Sequence, residues 1–123
     1  MATKTILIVE DDPVGRQTLH TALRAQKFET VLAGDAMTAL TLARDRKPSL
    51  IILDLGLPAG GGFTFLQRLR MFPALAVIPV IVVSGQDRAT HEQAAIDAGA
   101  SAFIPKPASP EVVIAQIREL LPE

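Results

Sequence analysis

The 123-residue sequence contains no cysteine, tryptophan or tyrosine, and only five phenylalanines. Without cysteine the chain has no disulfide, no thiolate metal site and no cysteine nucleophile. Twelve Lys and Arg residues against 13 Asp and Glu residues give a formal charge of −1, so the basic excess of a general nucleic-acid binder is missing. No apolar run approaches the roughly 20 residues that span a bilayer, and Met1–Lys4 lacks the apolar stretch of a signal peptide. We therefore expect a cytoplasmic domain without membrane insertion or direct nucleic-acid binding.

The composition that remains is that of an ordinary globular domain, with 49% apolar and 20% charged residues. This balance can supply a hydrophobic core, and it excludes intrinsic disorder, which combines low hydrophobicity with high net charge. The length is that of one domain, and neither a linker nor a low-complexity segment divides the chain. We expect residues 1–123 to form a single domain.

Five short apolar segments alternate with segments of helical periodicity. Four of the apolar segments are continuous, as in strands that are buried on both faces of a sheet, whereas the second alternates and suits a sheet edge. The apolar segments are residues 6–9, 28–32, 50–53, 80–83 and 102–104. The helical segments are residues 14–26, 36–46, 63–72, 89–98 and a last helix from Pro110, which Ser109 caps. Strands that alternate with helices predict an α/β fold with a five-stranded parallel sheet and five helices.

Polar residues follow four of the five predicted strands. The first strand leads into Glu10 and Asp11, the third ends at Asp54, the fourth ends at Ser84, and the fifth leads into Lys106. In an open parallel sheet, ligands bind beyond the carboxyl ends of the strands, where the strand order reverses. If these strands are neighbours, the five side chains meet in one crevice.

The charges of this set predict a cation site. Two carboxylates 4 Å apart repel by ~4 kcal/mol at an effective dielectric constant of about 20, so Glu10, Asp11 and Asp54 together require a cation or bound protons. Oxygen ligands without a nearby His or Cys favour Mg²⁺. A carboxylate beside Mg²⁺ and Lys106 can attack phosphorus and form an acyl phosphate, with Lys106 and Ser84 contacting the phosphoryl oxygens.

At these residues the chain resembles the receiver domain of two-component response regulators. The resemblance extends from Thr5 to Leu121. Its motifs are Glu10-Asp11, the segment 53–58 with the following Gly62, Ser84, and the segment 103–107. The spacings of 30 residues from Asp54 to Ser84 and of 52 residues from Asp54 to Lys106 are those of the family.

The resemblance implies a flavodoxin-like, doubly wound sheet with the strand order 2-1-3-4-5 and helices on both faces. It implies that Asp54 accepts a phosphoryl group from the phosphohistidine of a histidine kinase or phosphotransfer protein. Asp11, Asp54 and the backbone carbonyl of Gly56 would ligate Mg²⁺, and Glu10 would act through a bound water. Lys106 would pair with the phosphoryl group and precede a cis peptide bond to Pro107. Such a domain catalyses only its own phosphorylation and dephosphorylation and is not otherwise an enzyme.

The resemblance also implies a switch. Ser84 would move toward the phosphoryl group and the Phe103 ring would turn inward behind it, while a buried core ring is the alternative interpretation of Phe103. The fourth helix, fifth strand and fifth helix would then bind a downstream effector protein or output domain, and a phosphorylation-dependent homodimer through this face stays open. Candidate contact positions on this face are Gln93, Asp97, Ala100, Val113 and Gln116.

Two further features have structural interpretations. Asp12 precedes Pro13 and a helix, so we expect it to cap that helix and not to ligate the metal. Gly60, Gly61 and Gly62 resemble a phosphate-binding loop, but no Lys-Ser/Thr pair follows them. We therefore expect a flexible loop ahead of the third helix.

Three other functions compete with this interpretation. A haloacid dehalogenase-type phosphohydrolase also forms an aspartyl phosphate, but it has a second Asp two positions after the nucleophile, where this chain has Gly56. A flavin carrier would place hydroxyl groups after the first strand, where this chain has acids that repel phosphate. A receiver-like interaction module acts without phosphorylation. Such modules usually lack at least one residue of the site, whether from the acidic set, Asp54 or Lys106, and this chain has all of them.

Overall fold

The computed structural model describes residues 3–85 and 88–122. Five parallel strands form one sheet in the order β2-β1-β3-β4-β5, which confirms the expected topology. The strands are β1 (Thr5–Val9), β2 (Glu29–Ala33), β3 (Leu50–Asp54), β4 (Val80–Ser84) and β5 (Ala102–Pro105). The alternating strand β2 lies at an edge, as its pattern indicates. Because the order reverses between β1 and β3, a crevice opens at the carboxyl ends of these two strands.

The described residues contain one α-helix more than the five that the periodicity predicts. The helices are α1 (Pro13–Ala25), α2 (Ala36–Arg46), α3 (Gly61–Arg70), α4 (Pro73–Ala76), α5 (Arg88–Asp97) and α6 (Pro110–Leu120). The unexpected helix is α4, a single turn that begins at Pro73, where the fixed φ of proline suits the first helical position. The predicted fourth and fifth helices are thus α5 and α6.

Helices cover both faces of the sheet, as a doubly wound fold requires. On one face, alternate strand residues such as Leu7 and Val9 pack with side chains from α2, α3, α4 and α5. On the other face, Ile6 and Ile8 pack with side chains from α1 and α6. Strands β3 and β4 are buried along their whole length, which explains why their sequences are continuous apolar runs. None of the helices within the described ranges has the length and hydrophobicity of a membrane-spanning helix.

Side-chain caps fix where α1 and α6 begin. The Asp12 carboxylate accepts hydrogen bonds from the backbone N–H groups of Val14 at 3.4 Å and Gly15 at 3.1 Å, which confirms that Asp12 caps α1. The Ser109 hydroxyl accepts from Val112 N–H at 3.3 Å, which confirms the predicted cap of α6. Each cap of this kind contributes about 1 kcal/mol to helix stability. The cap of α1 therefore fixes the position of the turn that carries Glu10 and Asp11.

The prediction of a loop at Gly60–Gly62 was wrong. Residues Pro58–Gly60 form a turn of 3₁₀ helix, and Gly61 and Gly62 are the first residues of α3. A Cβ atom on Gly62 would lie 2.8 Å from the Cα atom of Leu55, a separation that real Cβ atoms do not show. Glycine at this position therefore lets the first turn of α3 approach the backbone that follows β3.

Candidate functional site

Three carboxylates meet at the carboxyl ends of β1 and β3. Glu10 and Asp11 directly follow β1, and Asp54 is the last residue of β3. One carboxylate oxygen from each of the three lies within 4.8 Å of the others. Glu10 and Asp54 are each 7% exposed, whereas Asp11 is exposed to solvent. The fold thus brings together the acidic residues that the sequence singles out.

Lys106 connects the two buried carboxylates. It follows β5, and its Nζ atom lies 3.1 Å from Oε1 of Glu10 and 3.2 Å from Oδ2 of Asp54. The side chain stays 37% exposed, so its ammonium group is open to a solvent-borne ligand. With every group ionised, three carboxylates and one ammonium leave the cluster with two uncompensated negative charges.

The neighbours of Glu10 and Asp54 drive their pKa values apart. Burial raises the pKa of Glu10 to about 7 and the Asp54 carboxylate adds to the rise, whereas hydrogen bonds from Lys106 and the Asp12 N–H oppose it. Burial also opposes ionisation of Asp54, but hydrogen bonds with Glu10, Gly56 N–H and Lys106 outweigh it and lower the pKa of Asp54. Asp54 is therefore the anionic member of the pair at neutral pH.

Lys106 stays protonated in this cluster. Burial lowers the pKa of its ammonium group, but the hydrogen bond to Glu10 and the negative charge of Asp54 raise it further, so that its pKa lies above the usual value. A permanent positive charge therefore lies against the Asp54 carboxylate.

Gly56 lies directly beside the Asp54 carboxylate. Its N–H donates to Oδ1 of Asp54 at 2.9 Å, so both oxygens of this carboxylate have a hydrogen-bond donor. A Cβ atom on Gly56 would lie 3.2 Å from Oδ1, closer than nearly all real contacts of this kind. Glycine at this position therefore keeps one side of the carboxylate open.

Ser84 and Phe103 lie on the neighbouring strands β4 and β5. Ser84 is fully buried, and its backbone carbonyl accepts from Lys106 N–H at 2.8 Å. The Phe103 ring is 8% exposed and belongs to the core cluster on the α2–α5 face of the sheet. The ring thus already points inward here, and the peptide bond between Lys106 and Pro107 is cis, as expected.

Two of the five candidate contact positions on the α5–β5–α6 face are wrong. Ala100 is buried because its N–H closes the end of α5 on the carbonyl of Ala95, and Val113 is buried in the core stripe of α6. Gln93 and Asp97 are exposed, and they hydrogen bond to each other at 2.8 Å, whereas Gln116 is partly buried.

A cavity of about 260 Å³ adjoins the acidic cluster. Its wall includes Glu10, Asp54 and Lys106 together with apolar side chains from β1, β3 and β4. This volume is large enough for a hydrated cation and a phosphoryl group, so the carboxylates are accessible although two of them are largely buried.

Arg16 is a site residue that the sequence did not single out. It belongs to α1, and its Nη1 atom donates to the backbone carbonyl of Glu10 at 2.8 Å. The search for polar residues directly after strands could not find it, because Arg16 lies one helical turn beyond that position.

Comparison with known proteins shows which family this chain belongs to. Residues 6–118 match the family model described as the response regulator receiver domain. The KDP operon transcriptional regulatory protein KdpE of Escherichia coli is 43% identical over 102 residues, which cover 83% of this chain and 44% of KdpE. The chain spans about half the length of the curated relatives it matches.

Solved structures share the fold along almost the whole chain. The chemotaxis response regulator CheY4 of Vibrio cholerae has a TM-score of 0.90 at 25% identity, with 98% of this chain and 100% of that chain covered. The receiver domain of the sensor histidine kinase PA1611 of Pseudomonas aeruginosa has a TM-score of 0.87 at 22% identity, with 96% and 97% covered. The family match, the KdpE identity and the shared fold agree: this chain belongs to the receiver domain family of two-component response regulators.

Proposed function

We propose that this domain is a phosphoacceptor, and that Asp54 receives a phosphoryl group from the phosphohistidine of a histidine kinase or phosphotransfer protein. The observation that carries this proposal is the convergence of Lys106 on the Asp54 and Glu10 carboxylates at the open end of the sheet. A buried anionic carboxylate beside a permanent positive charge has the arrangement that a phosphoryl acceptor requires.

In the transfer step, an Asp54 oxygen bonds to phosphorus while the P–N bond of the phosphohistidine breaks. The imidazole nitrogen leaves with the electron pair of that bond. Lys106 then lies within reach of the phosphoryl oxygens, where its charge stabilises both the transfer and the aspartyl phosphate. The lowered pKa of Asp54 supports this role, because only the carboxylate is nucleophilic.

The donor set of the cluster fits Mg²⁺. All of its acidic groups offer hard oxygen atoms, they lie within 4.8 Å of one another, and two negative charges remain after pairing with Lys106. Asp11, Asp54 and the backbone carbonyl of Gly56 would hold the ion, with Glu10 acting through a bound water. Bound there, Mg²⁺ neutralises charge on the phosphoryl oxygens. The PA1611 receiver domain is described with a magnesium ion coordinated in its active site cleft, which agrees with this assignment.

Phosphorylation is read out, in this proposal, on the surface of α5, β5 and α6. A hydrogen bond between the phosphoryl group and the Ser84 hydroxyl would stabilise the inward position that the Phe103 ring already has in this structure. A shift from mostly inactive to mostly active requires up to ~5.5 kcal/mol, and the new charge-assisted bonds to Lys106 and Ser84 supply part of it. A downstream effector protein or output domain binds this surface in the cytoplasm, and a phosphorylation-dependent homodimer is the other arrangement that it permits.

Intact mass after incubation with acetyl phosphate tests the proposal. The wild-type protein gains one phosphoryl group when Mg²⁺ is present and none when Mg²⁺ is chelated. Asp54→Asn gains none, whereas Asp45→Asn, which removes an exposed carboxylate on α2, behaves as the wild type. A folded wild-type protein that gains no mass with Mg²⁺ contradicts the proposal and favours an interaction module that acts without phosphorylation.

A further inference from the structure

Arg16 reaches from α1 back to the turn that carries the acidic residues. Its Nη1 atom donates to the Glu10 carbonyl at 2.8 Å, and its backbone N–H donates to the Asp12 carbonyl at 2.9 Å. The guanidinium group thus binds the backbone of the acidic turn, and in the described part of the chain it forms no hydrogen bond or ion pair with a carboxylate. This hydrogen bond restrains the orientation of the peptide group between Glu10 and Asp11.

The Glu10 peptide groups are held from both sides. The Glu10 N–H donates to the carbonyl of Ala33 at the end of β2, at 3.0 Å, and the Glu10 carbonyl accepts from Arg16. The carbonyl of residue 10 shares its peptide plane with the N–H of residue 11. Arg16 therefore restrains the peptide group that precedes the Cα atom of Asp11, from which the exposed Asp11 side chain extends.

Gly34 provides the space that Arg16 occupies. A Cβ atom on Gly34 would lie 2.9 Å from Nη1 of Arg16, a distance that forces one of the two to move. The backbone of Gly34 does not itself require glycine, because its φ lies outside the left-handed region. The missing side chain at position 34 is therefore needed for the guanidinium group and not for the turn.

We propose that Arg16 and Gly34 form a positioning pair that orients the Glu10–Asp11 turn for cation binding at Asp11 and Asp54. This inference deepens the proposed function and rests on it, since the cation site is the one described there. Neither residue contacts the phosphoryl acceptor in the described hydrogen bonds, and both act through the backbone of Glu10.

The charge of Arg16 and its positioning role predict opposite effects on cation binding. As a positive charge near the acidic cluster, Arg16 repels a divalent cation, so its removal alone would tighten binding. As a positioning residue it holds Asp11 in place, so its removal weakens binding. The sign of the change therefore separates the two roles.

The test measures Mn²⁺ affinity of the unphosphorylated protein by electron paramagnetic resonance. In Arg16→Met the dissociation constant rises by about tenfold, the size expected when a hydrogen bond from a charged donor is lost. Arg16→Lys keeps a donor and restores most of the affinity. Gly34→Ala displaces the guanidinium group and weakens binding as Arg16→Met does. The double variant is no weaker than either single variant, because both changes remove the same contact.

Arg24→Met, at an exposed position in the last turn of α1, is the matched control and leaves the affinity unchanged. Metal-free protein gives a second readout. Amide hydrogen exchange of Glu10 and Asp12 should be faster in Arg16→Met and Gly34→Ala than in the wild type, while the thermal unfolding midpoints of both variants stay close to that of Arg24→Met. Unchanged or tighter Mn²⁺ binding in Arg16→Met overturns the positioning role, and so does additive weakening in the double variant.

The outcome is distinguishable from failure of the proposed function. If the wild-type protein binds no Mn²⁺, the metal assignment fails, and slower or unchanged exchange at Glu10 and Asp12 in the variants overturns the positioning pair separately. If Mn²⁺ binding responds as expected but acetyl phosphate adds no mass, the pair stands and the phosphoacceptor role of Asp54 fails.

Discussion

The Lys106 ammonium lies 3.2 Å from Oδ2 of Asp54, although 52 residues separate the two in the chain. The parallel sheet produces this contact, because β3 and β5 end at the same edge and the residue after β5 reaches across the end of β4. The same ammonium binds Glu10 after β1. The Lys106 ammonium group thus connects the end of the edge strand β5 to the ends of β1 and β3, the neighbouring strands at which the strand order reverses.

Lys106→Met tests the role of this ammonium group. Loss of the charge leaves the Asp54 carboxylate without one of its donors and the phosphoryl oxygens without a cationic partner, so phosphorylation slows by tenfold or more, the loss expected when a charge-assisted bond is removed. The rate of mass gain with acetyl phosphate and Mg²⁺ measures the effect. Lys47→Met, which removes an exposed lysine at the end of α2, should keep the wild-type rate. Equal rates in the two variants would remove Lys106 from the mechanism.

The raised pKa of Glu10 predicts how stability depends on pH. In the unfolded chain Glu10 loses its proton near pH 4.5, whereas in the folded, metal-free protein it holds the proton until about pH 7. Between these values the folded state binds more protons, so the contribution of Glu10 to the free energy of unfolding falls as the pH rises from 4.5 to about 7. Urea unfolding of metal-free protein at several pH values measures this slope.

Glu10→Gln is the comparison for that experiment. The variant cannot ionise at position 10, so its stability should decline less than that of the wild type across the same pH range. Parallel pH curves for the two proteins would mean that Glu10 ionises in the folded state as it does in the unfolded chain.

Gly62→Ala should destabilise the fold. The added Cβ atom would lie 2.8 Å from Leu55 Cα and 3.1 Å from the Asp54 carbonyl oxygen, so α3 must move away from the backbone after β3. Overpacking of this kind costs roughly 1–3 kcal/mol. Gly61→Ala is the matched control, because it also replaces a glycine in α3 by alanine, but its Cβ atom would lie at an ordinary 3.5 Å from the Leu57 side chain. Chemical denaturation should separate the two variants, and equal stabilities would contradict the packing account.

Ser84→Ala separates phosphorylation from its readout. The hydroxyl is not the phosphoryl acceptor, so the variant should still gain mass with acetyl phosphate and Mg²⁺. The response of α5, β5 and α6 should weaken, because the phosphoryl group loses its bond to β4. Amide chemical shifts of these elements, recorded before and after phosphorylation, measure the response. Wild-type shift changes in the variant would show that Ser84 does not couple the site to this surface.

Much of the architecture could be predicted because burial leaves a direct mark on the sequence. Strands β3 and β4 are covered on both faces and therefore read as continuous apolar runs, and the edge strand β2 alternates. Asp54 and Lys106 could be located because each directly follows or ends such a run. The short helix α4 left no such mark, since four residues do not complete the repeat from which helical periodicity is recognised.

The features that the sequence did not indicate depend on close approach in three dimensions. A Cβ atom at Gly62 would meet the backbone of Leu55 and one at Gly34 would meet the guanidinium group of Arg16, and the local sequence carries no sign of either neighbour. Ala100 and Val113 are contact positions that the family resemblance suggests, but Ala100 is buried at the end of α5 and Val113 is buried in the core stripe of α6.

The central claim is that Asp54 carries the phosphoryl group, and locating the modified residue tests it most directly. Protein phosphorylated with acetyl phosphate and Mg²⁺ is reduced with borohydride, which converts an acyl phosphate to the corresponding alcohol, and the peptides are then analysed by mass spectrometry. The account predicts homoserine in place of Asp54 and at no other acidic position, with the modification lost after hydroxylamine treatment. Reduction at Glu10 or Asp11, or an intact Asp54 in protein that has gained a phosphoryl group, would contradict it.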